Sequence, residues 1–225
     1  MKKGKLIIIE SGSDGSGKAT QTKALYKKLI SEGYNVRQIT FPNYESPACT
    51  PVKMYLNGDF GKKPEDVNAF VASTFYAVDR FASFKQDWEE FYNNGGIVLS
   101  DRYTTSNMVH QAVKMNKADR DLYLDWLTDL EFNKYGLPEP DAVIFLNVEP
   151  EVSQQLMEDR PNKFTGEEEK DIHENNKEYL INSYNNSLEI SERYNWLKVN
   201  CIKDKKMRSI EDISEEIYSK VIKLI

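Results

Sequence analysis

The chain has 225 residues, of which 40% are apolar and 29% charged, with a net charge of −6. That length suits one α/β domain spanning 1–225 and is too short for two ordinary ones. The acidic balance excludes a protein that grips a long polyanion through many cationic contacts, so no nucleic-acid partner is expected, whereas a small phosphate ligand stays compatible with it.

In chain order, residues 6–9 are an apolar run of the kind found in strands buried on both faces. The run is too short for a secretory signal, and no later segment reaches the ~18 apolar residues of a membrane span, so a cytoplasmic protein with no membrane association is expected. It leads into Gly12-Ser13-Asp14-Gly15-Ser16-Gly17-Lys18, which fits the phosphate-loop pattern and has the preceding strand and following helix that the motif requires. The glycines let the backbone wrap phosphates with its N–H groups inward, the helix N-terminus adds a positive dipole end, and Lys18 reaches the transferred phosphate. Ala19 stands where a Ser or Thr usually contacts Mg²⁺, so the metal needs another route through Thr20, Asp14 or Asp101, directly or through water.

A helical pattern over 18–30 carries Leu25 and Leu29 on one face and stops before Gly33. Further strands are expected at 36–41, 97–99, 142–148 and 196–199, giving a mostly parallel sheet with ligands at its strand C-termini. Between them, 66–91 reads as a long helix whose stripe of Phe70, Ala77, Phe81, Phe84 and Trp88 should face the core. Tyr76 and Arg80, four residues apart, share a different face. Asp101-Arg102-Tyr103 closes the strand at 97–99 on the ligand edge; there Arg102 can clamp an acceptor phosphate bidentately, and Asp101 can hold the metal or the arginine. Asn116-Lys117-Ala118-Asp119 resembles a guanine-reading motif but follows no strand, so Asp119 reads as part of a helix-capping turn. Residues 157–171, with Pro161 and Gly166 among charged side chains, read as a mobile lid. Cys49 and Cys201 lack metal-site spacing and read as packing residues.

Together these pieces resemble the thymidylate kinases over essentially the whole chain. The likeness rests on the phosphate loop, Phe41-Pro42, Phe75-Tyr76-Ala77-Val78-Asp79-Arg80-Phe81, Asp101-Arg102-Tyr103 with Ser106-Asn107, and Leu137-Pro138-Glu139-Pro140-Asp141. It implies a P-loop NTPase fold with a five-stranded parallel sheet flanked by helices and a mobile lid, a homodimer, and ATP-dependent phosphorylation of dTMP to dTDP. ATP and Mg²⁺ would sit on Gly12, Ser13, Asp14, Gly15, Ser16, Gly17, Lys18, Ala19 and Thr20, with Asp14 and Asp101 as the metal candidates. The resemblance has Tyr76 stacking on thymine, Arg80 donating to a base oxygen and Asn107 reading the pyrimidine edge. Asp14 would hold the sugar hydroxyl, and Phe41, Pro42, Arg102 and Ser106 would complete the dTMP site. His110 falls where the family crowds C2′ of the sugar, and a surface histidine is an equal reading of it. Because Gly15 rather than an arginine follows Asp14, the resemblance assigns the transition-state arginine to Arg160 in the lid, with Lys163 behind it. A kinase for another nucleoside monophosphate and a noncatalytic nucleotide switch are the alternatives. The chain departs from the family at Asn43-Tyr44-Glu45, where an arginine often follows Phe-Pro, and at Ser11, an extra residue before the loop.

Overall fold

The computed structural model describes residues 3–157, 177–204 and 206–225. Strands β1 (Lys5–Ser11), β2 (Val36–Thr40), β3 (Ile97–Asp101), β4 (Ala142–Asn147) and β5 (Leu197–Asn200) form one sheet in the order β2-β3-β1-β4-β5. All four neighbouring pairs are parallel, so both faces need covering by helices. The period of two along β1 shows how they are covered. Ile7 and Ile9 pack with Leu25 and Leu29 of α1 (Lys18–Ser31), while Leu6 and Ile8 pack with Phe84, Trp88 and Tyr92 on the other face. Each such buried side chain contributes roughly 1.5–3 kcal/mol. The remaining helices are α2 (Thr50–Leu56), α3 (Ala69–Ser83), α4 (Glu89–Asn93), α5 (Thr104–His110), α6 (Arg120–Thr128), α7 (Pro150–Met157), α8 (Lys177–Arg193) and α9 (Ile210–Val221).

Parallel registry places the functional segments. Ile9 of β1 and Thr40 of β2 both align with Asp101 of β3, so β2 and β3 end level with one another while β1 runs on two residues to Ser11 along β4. Backbone bonds extend the alignment past the strands: Arg102 N–H donates to Ile9 O (3.2 Å) and Phe41 N–H to Asp101 O (3.0 Å). The phosphate loop, Asp101-Arg102 and the cis Phe41–Pro42 step therefore share one edge of the sheet. Strands β1 and β3 run longer than their apolar cores because pairing continues onto Glu10, Ser11, Ser100 and Asp101. β2 stops at Thr40, short of the expected Phe41, and β5 leaves out Trp196.

The long helix expected at 66–91 is three segments. α3 starts at Asn68, whose Oδ1 accepts Val71 N–H at 2.9 Å, and gives way to a π-helical turn over Phe84–Trp88 before α4. The expected core stripe is wrong at Phe81, which is 39% exposed alongside Val71 and Val78, each 43% exposed. α3 instead buries Ala69, Ala72, Ser73, Ala77, Asp79, Arg80 and Ser83. The physical reason is that the polar members of that face have partners inside: Ser73 meets Tyr123, Asp79 meets the Asn43 N–H, and Arg80 meets Glu131. Asp119 occupies the N-cap position of α6, with its carboxylate accepting from Asn116 Nδ2 (2.6 Å) rather than capping the helix. Cys49 and Cys201 are buried free thiols, as packing residues should be. The stretch read as a lid, Met157 at the end of α7 excepted, lies outside the described residues, as do Arg160 and Lys163. Among the described residues no helix is long and apolar enough to cross a membrane.

Candidate active site

The phosphate loop leaves the central strand and turns on two left-handed glycines, Gly15 (φ 74°) and Gly17 (φ 87°), conformations that cost a residue with a Cβ about 1–2 kcal/mol. Gly12 is required for a different reason: a Cβ there would collide with the Ser187 side chain of α8 and meet the Tyr184 Cα at 3.0 Å. Inside the loop, Lys18 Nζ donates to Ser11 Oγ (2.7 Å), Ser13 O (3.0 Å) and Ser16 Oγ (3.3 Å). Ser16 Oγ donates to Ser11 Oγ (2.7 Å), which in turn donates to Ser13 O (2.7 Å). The extra residue Ser11 thus joins the lysine's cage. Burial, and secondly the Arg102 charge, lower the Lys18 pKa to about 8, against the opposing pull of Asp14, Glu10 and Asp101.

Arg102 comes from the end of β3 with φ 68° and reaches across to the loop. Its Nη2 donates to Asp14 Oδ1, its Nη1 lies 3.4 Å from Ser106 Oγ and 3.2 Å from His110 Nε2, and Glu10 is 3.8 Å away. Burial works against its charge, but Asp14, Glu10 and Asp101 hold its pKa above the ordinary arginine range. Fully buried Glu10 accepts from Ser11 N–H (3.0 Å), Thr105 Oγ1 (2.8 Å) and Ser106 Oγ (2.6 Å), tying the loop to α5. Phe41 packs on Tyr103 with ring centroids 6.0 Å apart, Pro42 is half-buried beside it, and Asn43 N–H donates to Asp79 Oδ2 (2.8 Å).

Beyond Arg102 lies the pair on α3. Tyr76 is half-buried and edge-on to Tyr55, 6.4 Å between centroids. Arg80 is only 1% exposed, so the face it shares with Tyr76 is a buried one. Arg80 Nε donates to Glu131 Oε2 (2.7 Å), and its Nη2 donates to Glu131 Oε1 (2.5 Å) and Asn107 Oδ1 (2.9 Å). Glu131 sits in a π-helical segment over Asp129–Lys134 that continues α6. The burial that would disfavour the Arg80 charge is outweighed by this carboxylate, which raises its pKa. Three of these residues, Glu10, Asp79 and Glu131, were not singled out as site residues from the sequence. The available signal was an acid inside an apolar context, as at Leu130-Glu131-Phe132.

Asp14 and Asp101 both act electrostatically on Lys18 and Arg102. Among the described residues no group of three or more His, Cys, Asp or Glu is placed to hold a metal ion. Two carboxylates beside a loop with the hydroxyl of Thr20 are hard oxygen donors that fit Mg²⁺, which keeps several waters and shares substrate phosphates instead of needing a protein cage.

A parallel sheet whose central strand feeds a phosphate loop, with a second cationic arm at the end of the adjacent strand, defines a P-loop NTPase fold equipped for nucleotide phosphates. The sequence model of the thymidylate kinase family matches residues 9–217. The chain is 30% identical to the thymidylate kinase of Schizosaccharomyces pombe over 199 residues, 83% of this chain and 87% of the relative. It is 27% identical to that of Plasmodium falciparum over 227 residues, covering 99% and 92%. A solved structure of thymidylate kinase from Candida albicans superposes with a TM-score of 0.69 at 20% identity, covering 98% of this chain and 92% of that one, a likeness of fold. This chain belongs to the thymidylate kinase family.

Proposed function

We propose that this chain, acting as one domain over 1–225, transfers the γ-phosphoryl group of ATP to dTMP and forms dTDP. The observation that carries the reading is the contact of Arg102 with Asp14, which joins the acceptor arm to the phosphate loop. In this mechanism ATP phosphates take over Lys18 Nζ from the oxygens of Ser11, Ser13 and Ser16, while the loop N–H groups from Gly12 to Thr20 enclose them. Arg102 binds the dTMP phosphate, and Asp14 orients both that arginine and the sugar hydroxyl. An acceptor phosphate oxygen attacks the γ-phosphorus, a new P–O bond forms, and the bond to the leaving ADP breaks. Catalysis is then positioning and charge neutralisation. Mg²⁺, held by Asp14 and Asp101 directly or through water, would supply charge neutralisation on the phosphates when bound. Arg160 adds a positive charge to the transferring group. Tyr76 stacks on the base, Arg80 and Asn107 read its edge, and Phe41, Pro42, Ser106 and His110 line the rest.

A homodimer belongs to the same proposal, supported by the outward stripe of Val71, Val78 and Phe81 on α3, whose burial against a second copy would remove apolar surface from water. A monomeric mass in solution at micromolar concentration would remove it. A cytoplasmic location goes with substrates that are charged nucleotides. The deciding experiment is ADP release with ATP and Mg²⁺, comparing dTMP, dUMP, dCMP, AMP and no acceptor. Turnover highest with dTMP is expected; preference for another monophosphate overturns the base site, and ATP binding without turnover on any acceptor overturns the kinase reading.

A further inference from the structure

The base-reading pair is enclosed in a network whose hydrogen-bond directions can be followed atom by atom. Asn107 Oδ1 accepts from Arg80 Nη2 (2.9 Å), and its Nδ2 donates to Ser73 Oγ (3.0 Å). Ser73 Oγ lies 2.7 Å from Tyr123 Oη, and Tyr123 Oη donates to Asn107 O (3.3 Å). Since the tyrosine proton goes to the carbonyl, the serine proton goes to the tyrosine, and the ring of bonds has one sense. Turning the Asn107 amide over would set its NH₂ group against the Arg80 NH₂, donor against donor. An arginine can never become an acceptor, so the amide orientation depends on where the guanidinium is held.

Glu131 holds it. Both oxygens of this fully buried carboxylate are occupied: Oε1 by Arg80 Nη2 (2.5 Å), Oε2 by Arg80 Nε (2.7 Å) and Thr104 Oγ1 (2.7 Å). This grip takes the Nε–Nη2 side of the guanidinium and leaves Nη1 at the far end. Among the described residues Nη1 has one hydrogen bond, to Tyr103 O at 3.4 Å, although it carries two hydrogens.

We propose that Glu131 is the positioning residue that fixes the polarity of the base site, holding Arg80 so that its guanidinium donors stand against the Asn107 Oδ1 acceptor, to which Nη2 already donates (2.9 Å). A donor next to an acceptor matches an imide edge, in which a carbonyl oxygen neighbours a ring N–H. It opposes an aminopyrimidine edge, in which an exocyclic NH₂ neighbours a bare ring nitrogen. The site therefore selects thymine and uracil over cytosine through Glu131, which need not touch the base. The inference rests on the dTMP-kinase reading and specifies what enforces its choice of base.

The test compares kcat/KM for dTMP and dCMP in the wild-type chain, Glu131→Gln, Thr104→Val and Thr104→Ser, with KM for ATP as the check on folding. Glu131→Gln, by loosening Arg80 and freeing the amide to turn, should raise KM for dTMP about tenfold or more and lower the dTMP-to-dCMP ratio by a similar factor, with KM for ATP unchanged. Thr104→Val, which removes one donor from the same carboxylate, should move both quantities in the same direction by less, and Thr104→Ser should restore them. A Glu131→Gln enzyme with the wild-type ratio, including one that loses dTMP and dCMP turnover equally, overturns the inference. Should that variant fail to fold, a wild-type ratio in Thr104→Val overturns it instead. A wild-type chain that does not phosphorylate dTMP overturns the functional reading and is recognised separately from either variant.

Discussion

Lys18 and Arg80 are both buried cations, 6% and 1% exposed, and the protein treats them in opposite ways. Lys18 is surrounded by the neutral oxygens of Ser11, Ser13 and Ser16, and burial brings its pKa down to about 8. Arg80 is gripped on two nitrogens by a buried carboxylate, and its pKa is raised despite burial. The first arrangement leaves a positive charge hydrogen-bonded to neutral oxygens, with the Asp14 carboxylate standing off at 4.0 Å, so that an arriving anion can take the places those oxygens hold. The second spends the charge internally and leaves oriented N–H and C=O dipoles, which suit an uncharged base. Burial alone does not say what a cation is for; the charge of its partners does.

The comparison breaks most visibly at its phosphate end. Lys18→Ala should cost about 100- to 1000-fold in kcat, read as ADP release, since it removes a charge aimed at the transferred group. A loss under a few-fold would mean that the loop cage is only structural. Arg102→Ala and Arg160→Ala separate the two remaining arms. Arg102→Ala should raise KM for dTMP roughly tenfold or more and lower kcat, whereas Arg160→Ala should lower kcat with little change in dTMP affinity. An Arg160→Ala enzyme with unaltered kcat removes that residue from the mechanism. A subtler break is the proton. ATP should push the Lys18 pKa back up from about 8, so binding near pH 9 should take up a proton that binding near pH 7 does not, and affinity should fall above pH 8. Equal binding heats in buffers of different ionisation enthalpy at the higher pH would refute this.

The smallest effect concerns Asp79, between the two regions. Burial raises its pKa to about 6, with the Asn43 N–H and Arg80 pulling the other way. A carboxylate raised from 3.8 contributes stability that is present below that value and lost as pH climbs through about 6. Asp79→Asn should therefore stabilise the fold by on the order of 1 kcal/mol near pH 8 and by little near pH 4, measured by thermal melting. The same gain at both pH values would mean that ionisation is not involved.

The donor end was legible in the sequence because its chemistry is contiguous: seven residues from Gly12 to Lys18 carry the loop, and an apolar run predicts the strand that feeds it. The sheet was legible for the same local reason. The inner face of α3 was not. Large apolar side chains suggested the buried stripe, yet Phe81 faces out while Ser73, Asp79 and Arg80 face in, because partners distant in sequence satisfy them. Glu131 lies 51 residues from Arg80, and the π-helical turns at Phe84–Trp88 and Asp129–Lys134 break the period on which face assignments rest. Arg102 was found by its place at a strand end, but its contact with Asp14 depends on the parallel register of β1 and β3.

Arg102 also has a backbone consequence. At φ 68° it occupies a conformation in which glycine would be at ease and a side-chain-bearing residue costs about 1–2 kcal/mol. The chain carries that tension at the joint where β3 hands over to α5. Durability and competence therefore pull this one position in opposite directions: the residue that would relax the joint is the one least able to grip a phosphate.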